Sequence, residues 1–140
     1  MNSLDTARLC AETMLARDSA TRALGITIEI PAPGSAIATM QVVESMINGH
    51  GTCHGGYIFT LADSAFAFAC NAYDRVAVAA GASIDFLRAA RAGDRLVAEA
   101  AERHRGRTTG FYEVSVTNQD NQLVALFHGR SHATGEALLP

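Results

Sequence analysis

The stretch His54-Gly55-Gly56-Tyr57-Ile58-Phe59-Thr60-Leu61-Ala62-Asp63-Ser64-Ala65-Phe66-Ala67-Phe68-Ala69-Cys70-Asn71 decides the fold. Its apolar residues favour no face, and it is too long for a typical strand. A helix apolar nearly all round is a buried helix, and the segment 54–72 is read as one. Asp63 is its only carboxylate, set among Leu61, Ala62, Ala65, Phe66 and Phe68. Burying such a group without partners is costly, so it shifts its pKa or finds donors. The bland reading is a structural Asp at a helix or subunit contact. The favoured reading is a general base or nucleophile.

Immediately before that helix stands His54-Gly55-Gly56. The first turn of a helix carries free N–H groups and the positive end of the dipole. Two glycines there let a ligand oxygen approach the amides, as an oxyanion hole requires. Tight helix packing also demands glycine, so the motif gains weight only from Asp63 downstream. Gly55 and Asp63 are eight residues apart, about 12 Å along a helix axis. A base and an oxyanion donor acting on one carbonyl must both lie within about 3 Å of it, which one helix cannot arrange. Two antiparallel copies can, so the reading implies an obligate dimer with shared sites.

Working outward, 3–24 reads as an N-terminal helix capped by Ser3, with Asp5 in its first turn and Gly25 at its end. Leu4, Ala7, Ala11, Met14 and Leu15 form its packing face. Ile26–Ile30 and Ala36–Val43 read as a hairpin around Pro31-Ala-Pro-Gly34. Beyond Asp74 come four strand-like runs, Val76–Arg88, Arg95–His104, Thr108–Asn118 and Leu123–His132. Their short connections imply antiparallel neighbours in sequence order. The plan is α+β: one helix wrapped by an antiparallel sheet, with residues 1–140 forming a single domain.

Composition narrows the class. The chain has 140 residues, 49% hydrophobic and 18% charged, with a formal net charge of −3. That excludes disorder, and the charge has the wrong sign for a general nucleic-acid binder. Every basic residue besides histidine is Arg. The three cysteines, Cys10, Cys53 and Cys70, are odd in number and form no CxxC, which points to the cytoplasm. The longest apolar run is short for a membrane span and is interrupted by Asp63, so no membrane partner is expected. His128 and His132 face one side of a strand, but no metal-ligand spacing includes them, and no metal is expected.

The run Asn48-Gly-His-Gly-Thr-Cys-His-Gly-Gly through Asn71 resembles the hotdog-fold acyl-CoA thioesterases, most of all the phenylacetic-acid-degradation (PaaI) type. Ser83-Ile-Asp-Phe-Leu-Arg88, Ala92-Gly-Asp94 and Val124-Ala-Leu-Phe127 fit the same pattern, and the resemblance covers about residues 20–135. Ala89 departs from it, since relatives commonly carry proline there.

The resemblance implies a hotdog fold, two subunits joined into one sheet, and often a homotetramer of two such dimers. It implies catalytic roles for Asp63, Gly55, Asn48, His54 and Ser83: the Gly55 amide and Asn48 as oxyanion donors and Ser83 positioning water, while the place of His54 at a helix start favours support of the loop over proton transfer. It implies hydrolysis of phenylacetyl-CoA and its ring-hydroxylated forms during phenylacetate breakdown, with coenzyme A part of the substrate and no cofactor. Gly56, Ser64, Phe86, Arg88, Arg105 and Arg107 are the expected substrate or CoA contacts, with Arg91 and Arg103 as further phosphate candidates. Phe59, Phe66, Phe68 and the Ile47 loop stand between acyl pocket and core. The rivals are aroyl- or medium-chain thioesterases, a hotdog dehydratase or hydratase pairing His50 or His54 with Asp63, and a non-catalytic acyl-CoA sensor.

Overall fold

The computed structural model describes residues Met1–Pro140. Helix α1 (Ser3–Arg17) starts one residue earlier than Ser3 would cap it. Asn2 Oδ1 accepts from the Asp5 amide at 2.8 Å, and the Asp5 carboxylate accepts from the Asn2 amide in return. That reciprocal pair satisfies two amides that a helix start leaves free. Nor does one helix run to residue 24. Asp18 leaves helical geometry (φ −94°, ψ 87°) and caps a second helix, α2 (Ser19–Ala23). Its carboxylate accepts from the Thr21 amide and the Thr21 hydroxyl. Gly25, at φ +69°, ends α2 in the left-handed region, as expected.

Six strands form one antiparallel sheet in the order β1-β2-β4-β5-β6-β3. They are β1 (Thr27–Glu29), β2 (Ser35–Gln41), β3 (Ala77–Phe86), β4 (Arg95–Arg105), β5 (Thr109–Thr117) and β6 (Leu123–Ala133). The hairpins β1–β2, β4–β5 and β5–β6 follow sequence order. The short connection after β3 does not make a hairpin, contrary to the sequence-order expectation. β3 pairs with β6, and β4 lies on the far side of β5. Residues 87–94 cross below the sheet: the Leu87 and Arg88 amides donate to the Val124 carbonyl, and Ala90 accepts from the Cys53 amide. Asp94 then accepts from the Val42 amide, which delivers the chain to the β2 side.

The central helix α3 (Gly55–Cys70) lies on the sheet's concave face. Phe66 and Phe68 are buried at its centre, and Phe66 tilts against Tyr112 of β5 and Phe127 of β6. Phe59 meets Phe127 edge-on at 5.3 Å. These rings therefore build the core. The helix is not covered all round, however. Gly56, Thr60, Asp63 and Ala67 form a helical stripe that neither sheet nor α2 buries. Beside that stripe runs the free edge of β3, where Val78 and Phe86 are exposed.

Close packing over α3 rests on a glycine. A Cβ at Gly129 of β6 would stand 2.8 Å from the buried Phe66 ring. Gly129→Ala is expected to destabilise the fold by about 1–3 kcal/mol, read as a lower urea midpoint with an unchanged slope.

Candidate active site

Asp63 projects from the open stripe of α3 rather than into the core and is half-buried. Burial alone pushes its carboxyl above the usual carboxylate range, and no donor in the chain pulls it back. The site therefore holds a carboxylate more basic than an exposed one, the direction that favours a general base.

The loop ahead of α3 is braced by Asn48. Its Oδ1 accepts from the His50 amide at 2.9 Å, the Thr52 amide at 3.2 Å and the Thr52 hydroxyl. With the oxygen saturated, the amide orientation is set and the Nδ2 hydrogens are left for a ligand. Ile47 and Cys53 close the loop as a bridge pair.

His54 is the cap of α3. Its Nδ1 accepts from the Gly56 amide at 3.0 Å, so the neutral ring carries its proton on Nε2. This hydrogen bond fixes the ring against the first turn of α3. The cap also takes the Gly56 amide out of use, while the Gly55 amide enters no backbone hydrogen bond. The space over Gly55 is filled by a ring: a Cβ there would stand 2.9 Å from Phe86. Phe86 and Gly55, with Thr52, Ile58, Leu87 and Arg88, line a cleft of about 460 Å³.

Several expected residues lie elsewhere. Ser64 is buried and bonds the Thr21 hydroxyl at 3.1 Å, so it ties α3 to α2 and is not a substrate contact. Ser83 pairs with His128 on the outer face of the sheet, while its neighbour Ile84 pairs with the buried Phe127. Residues directly opposite share a face, so Ser83 points away from α3 and Asp63. On that outer face Glu113 meets both Arg103, at 2.9 Å, and His128.

Arg105 and Arg107 sit at the other end of α3, about 22 Å along the axis from Gly55. The Arg105 guanidinium lies 3.7 Å over the Tyr73 ring. Beneath it Glu102 accepts from the Tyr73 and Tyr112 hydroxyls. Arg91 is exposed, with its amide bonded to Asp94. Of the arginines, Arg88 alone shares the Gly55 cleft.

Sequence reasoning assigned no task to Asn71. Its buried side chain donates to Ala67 and Ala77 and accepts from the Ala77 amide, which pins β3 to the end of α3. An Asn directly after an apolar helix was the available signal.

The family model described as "Thioesterase superfamily" matches residues 50–125. This chain belongs to the thioesterase superfamily. It is 49% identical over 125 residues to the acyl-coenzyme A thioesterase PaaI of Escherichia coli K12, covering 89% of each chain. The structure of the E. coli PaaI protein from the phenylacetic acid degradation operon superposes with a TM-score of 0.95 at 46% identity, covering 97% of this chain and 99% of that one. The Streptococcus mutans protein smu.793, solved bound to acetyl CoA, matches with a TM-score of 0.76 at 35% identity, covering 80% and 90%. The fold is the hotdog fold. By this membership the chain is a thioester hydrolase, an acyl-CoA thioesterase of the PaaI type.

Asp63 carries a stability cost with a definite sign. Its raised pKa means the folded chain holds a proton that the unfolded chain releases, so stability falls as pH rises through that window. Asp63→Asn is expected to raise Tm at pH 7, with the gain shrinking as pH falls into the ordinary carboxylate range. Thermal melts of both proteins from pH 4 to 8 check this.

Proposed function

We propose that residues 1–140 act as one hotdog unit that hydrolyses phenylacetyl-CoA and its ring-hydroxylated forms, releasing the free acid and CoA during phenylacetate degradation. The reading is carried by one observation: a half-buried carboxylate and an unused helix-start amide lie on one helix, too far apart to meet. An antiparallel second copy brings Asp63 of one protomer to Gly55 of the other, and the free edge of β3 supplies the strand pairing that aligns them. Two such dimers complete a homotetramer.

The Gly55 amide and Asn48 Nδ2 then polarise the acyl carbonyl and hold the developing oxyanion. His54 keeps its amide cap in place. Asp63 activates water, or attacks the carbonyl itself to form an anhydride that water cleaves. Gly56 borders the acyl group, Phe86 lines the Gly55 cleft that takes the CoA portion, and Arg88 at its mouth meets the CoA phosphates. Arg105 and Arg107, remote from Gly55 on their own protomer, serve only through the partner. Ser83, on the outer face of its own protomer, places water only where the second copy brings it to the site. No cofactor is required, since coenzyme A arrives with the substrate. The three unpaired cysteines suit a reducing cytoplasm, and no helix is long and apolar enough to cross a membrane. The acetyl-CoA complex of the S. mutans protein supports an acyl-CoA site on this scaffold.

Thiol release from phenylacetyl-, hydroxyphenylacetyl-, benzoyl-, hexanoyl- and crotonyl-CoA tests the reaction. The expected result is fastest turnover of the phenylacetyl compounds, reduced about 10²–10⁴-fold in Asp63→Asn. Hydration of crotonyl-CoA without thiol release would place the enzyme among the lyases. Mixing Asp63→Asn with Asn48→Ala protomers and allowing exchange is expected to restore activity that neither variant has alone, because one wild-type site forms in each mixed dimer.

A further inference from the structure

A second concavity adjoins the helix start on the side away from the Gly55 cleft. It holds about 600 Å³ between α2 and α3, lined by Ala20, Ala23, Leu24, His54, Gly56, Tyr57 and Thr60. Three features give it a chemical preference. Its α2 wall is apolar and low, since Ala20 and Ala23 expose only methyl groups and Leu24 closes the end. Its opposite wall is aromatic: Tyr57 and His54 stand edge to face with centroids 6.4 Å apart. A third flat ring packs well against such a pair. Its polar atoms are unequally committed. Thr60 donates to the Gly56 carbonyl and His54 Nδ1 accepts the Gly56 amide. The Tyr57 hydroxyl bonds to no other group of the chain and is not buried, so water or a ligand can meet it, and the His54 ring is held through Nδ1 alone.

We infer that this groove receives the acyl group of the thioester, with Ala23 setting the room for an aromatic ring and the Tyr57 hydroxyl reading a polar substituent on it. The inference rests on the thioesterase reading above and adds to it the residues that select the acyl group. Gly56, shared by groove and helix start, places the occupant next to the Gly55 amide. The CoA portion then leaves through the cleft beyond Phe86, on the other side. A planar apolar body with a polar far end satisfies the methyl floor, the aromatic wall and the free hydroxyl together. A linear alkyl chain makes no use of the aromatic wall and offers the Tyr57 hydroxyl no polar partner in place of water.

The test compares kcat/KM of wild type, Ala23→Trp, Leu24→Ala and Tyr57→Phe on acetyl-, phenylacetyl- and 4-hydroxyphenylacetyl-CoA, with thermal melts as the folding control. Ala23→Trp is expected to cost the two aryl substrates tenfold or more while acetyl-CoA changes less than about threefold. Tyr57→Phe is expected to erase roughly tenfold of the preference for the hydroxylated ring over phenylacetyl. Equal losses on all three substrates, or none, would overturn the groove while leaving the thioesterase reading intact. Should Ala23→Trp not fold, Leu24→Ala decides: it must change the aryl-to-acetyl ratio, and an unchanged ratio rejects the assignment. A wild type that releases no thiol from any of the three rejects the parent reading, and the groove with it.

Discussion

A helix that is apolar on almost every side can persist in water only if something covers it. Here one curved sheet and a short helix cover α3 except along the stripe that bears Asp63. Covering the last stripe with apolar residues would have cost nothing in folding. The chain instead leaves there a carboxylate whose charge the surroundings penalise. Every other feature of the site relates to that gap: the open β3 edge beside it, the glycine start of the helix, and the loop held by Asn48.

The local hydrogen bonds around the helix start divide the available groups between structure and chemistry. Nδ1 of His54 is spent on Gly56, and Oδ1 of Asn48 is spent on its own loop. What remains is one backbone amide and one side-chain amide, both donors, in a region that already carries the positive end of a helix dipole. Donors held in place beforehand need no reorganisation when negative charge develops near them. Phe86 contributes by occupying the volume that any side chain at residue 55 would need.

Much of this was legible in the sequence, for physical reasons that also mark where legibility stopped. Asp63 stood out because a charge inside an apolar helix contradicts burial, and the sheet-wrapped helix followed from the alternating runs around it. The break at Asp18 escaped because the apolar period continues through it, although Asp18-Ser19 is itself a capping signal. Ser64 seemed to neighbour Asp63, yet it lies about 100° further round the helix, under α2. Which way Ser83 points was not legible, because the facing of β3 is fixed by its register against β6, and the bulge between Ala79 and Gly81 interrupts the simple alternation. The position of β3 itself was hidden, since connection length says nothing of a strand that pairs with one some fifty residues later.

That last pairing bears on how the molecule is made. β4, β5 and β6 form a meander whose hairpins close early, whereas β3 has no partner until the chain is synthesised through residue 133. Ordering a distant pair means closing a long loop first, which slows folding relative to the local hairpins. Until then the aromatic ring that packs against Gly55 has no fixed position, and β3 stands with both of its edges unpaired, the kind of exposed strand through which incomplete chains aggregate.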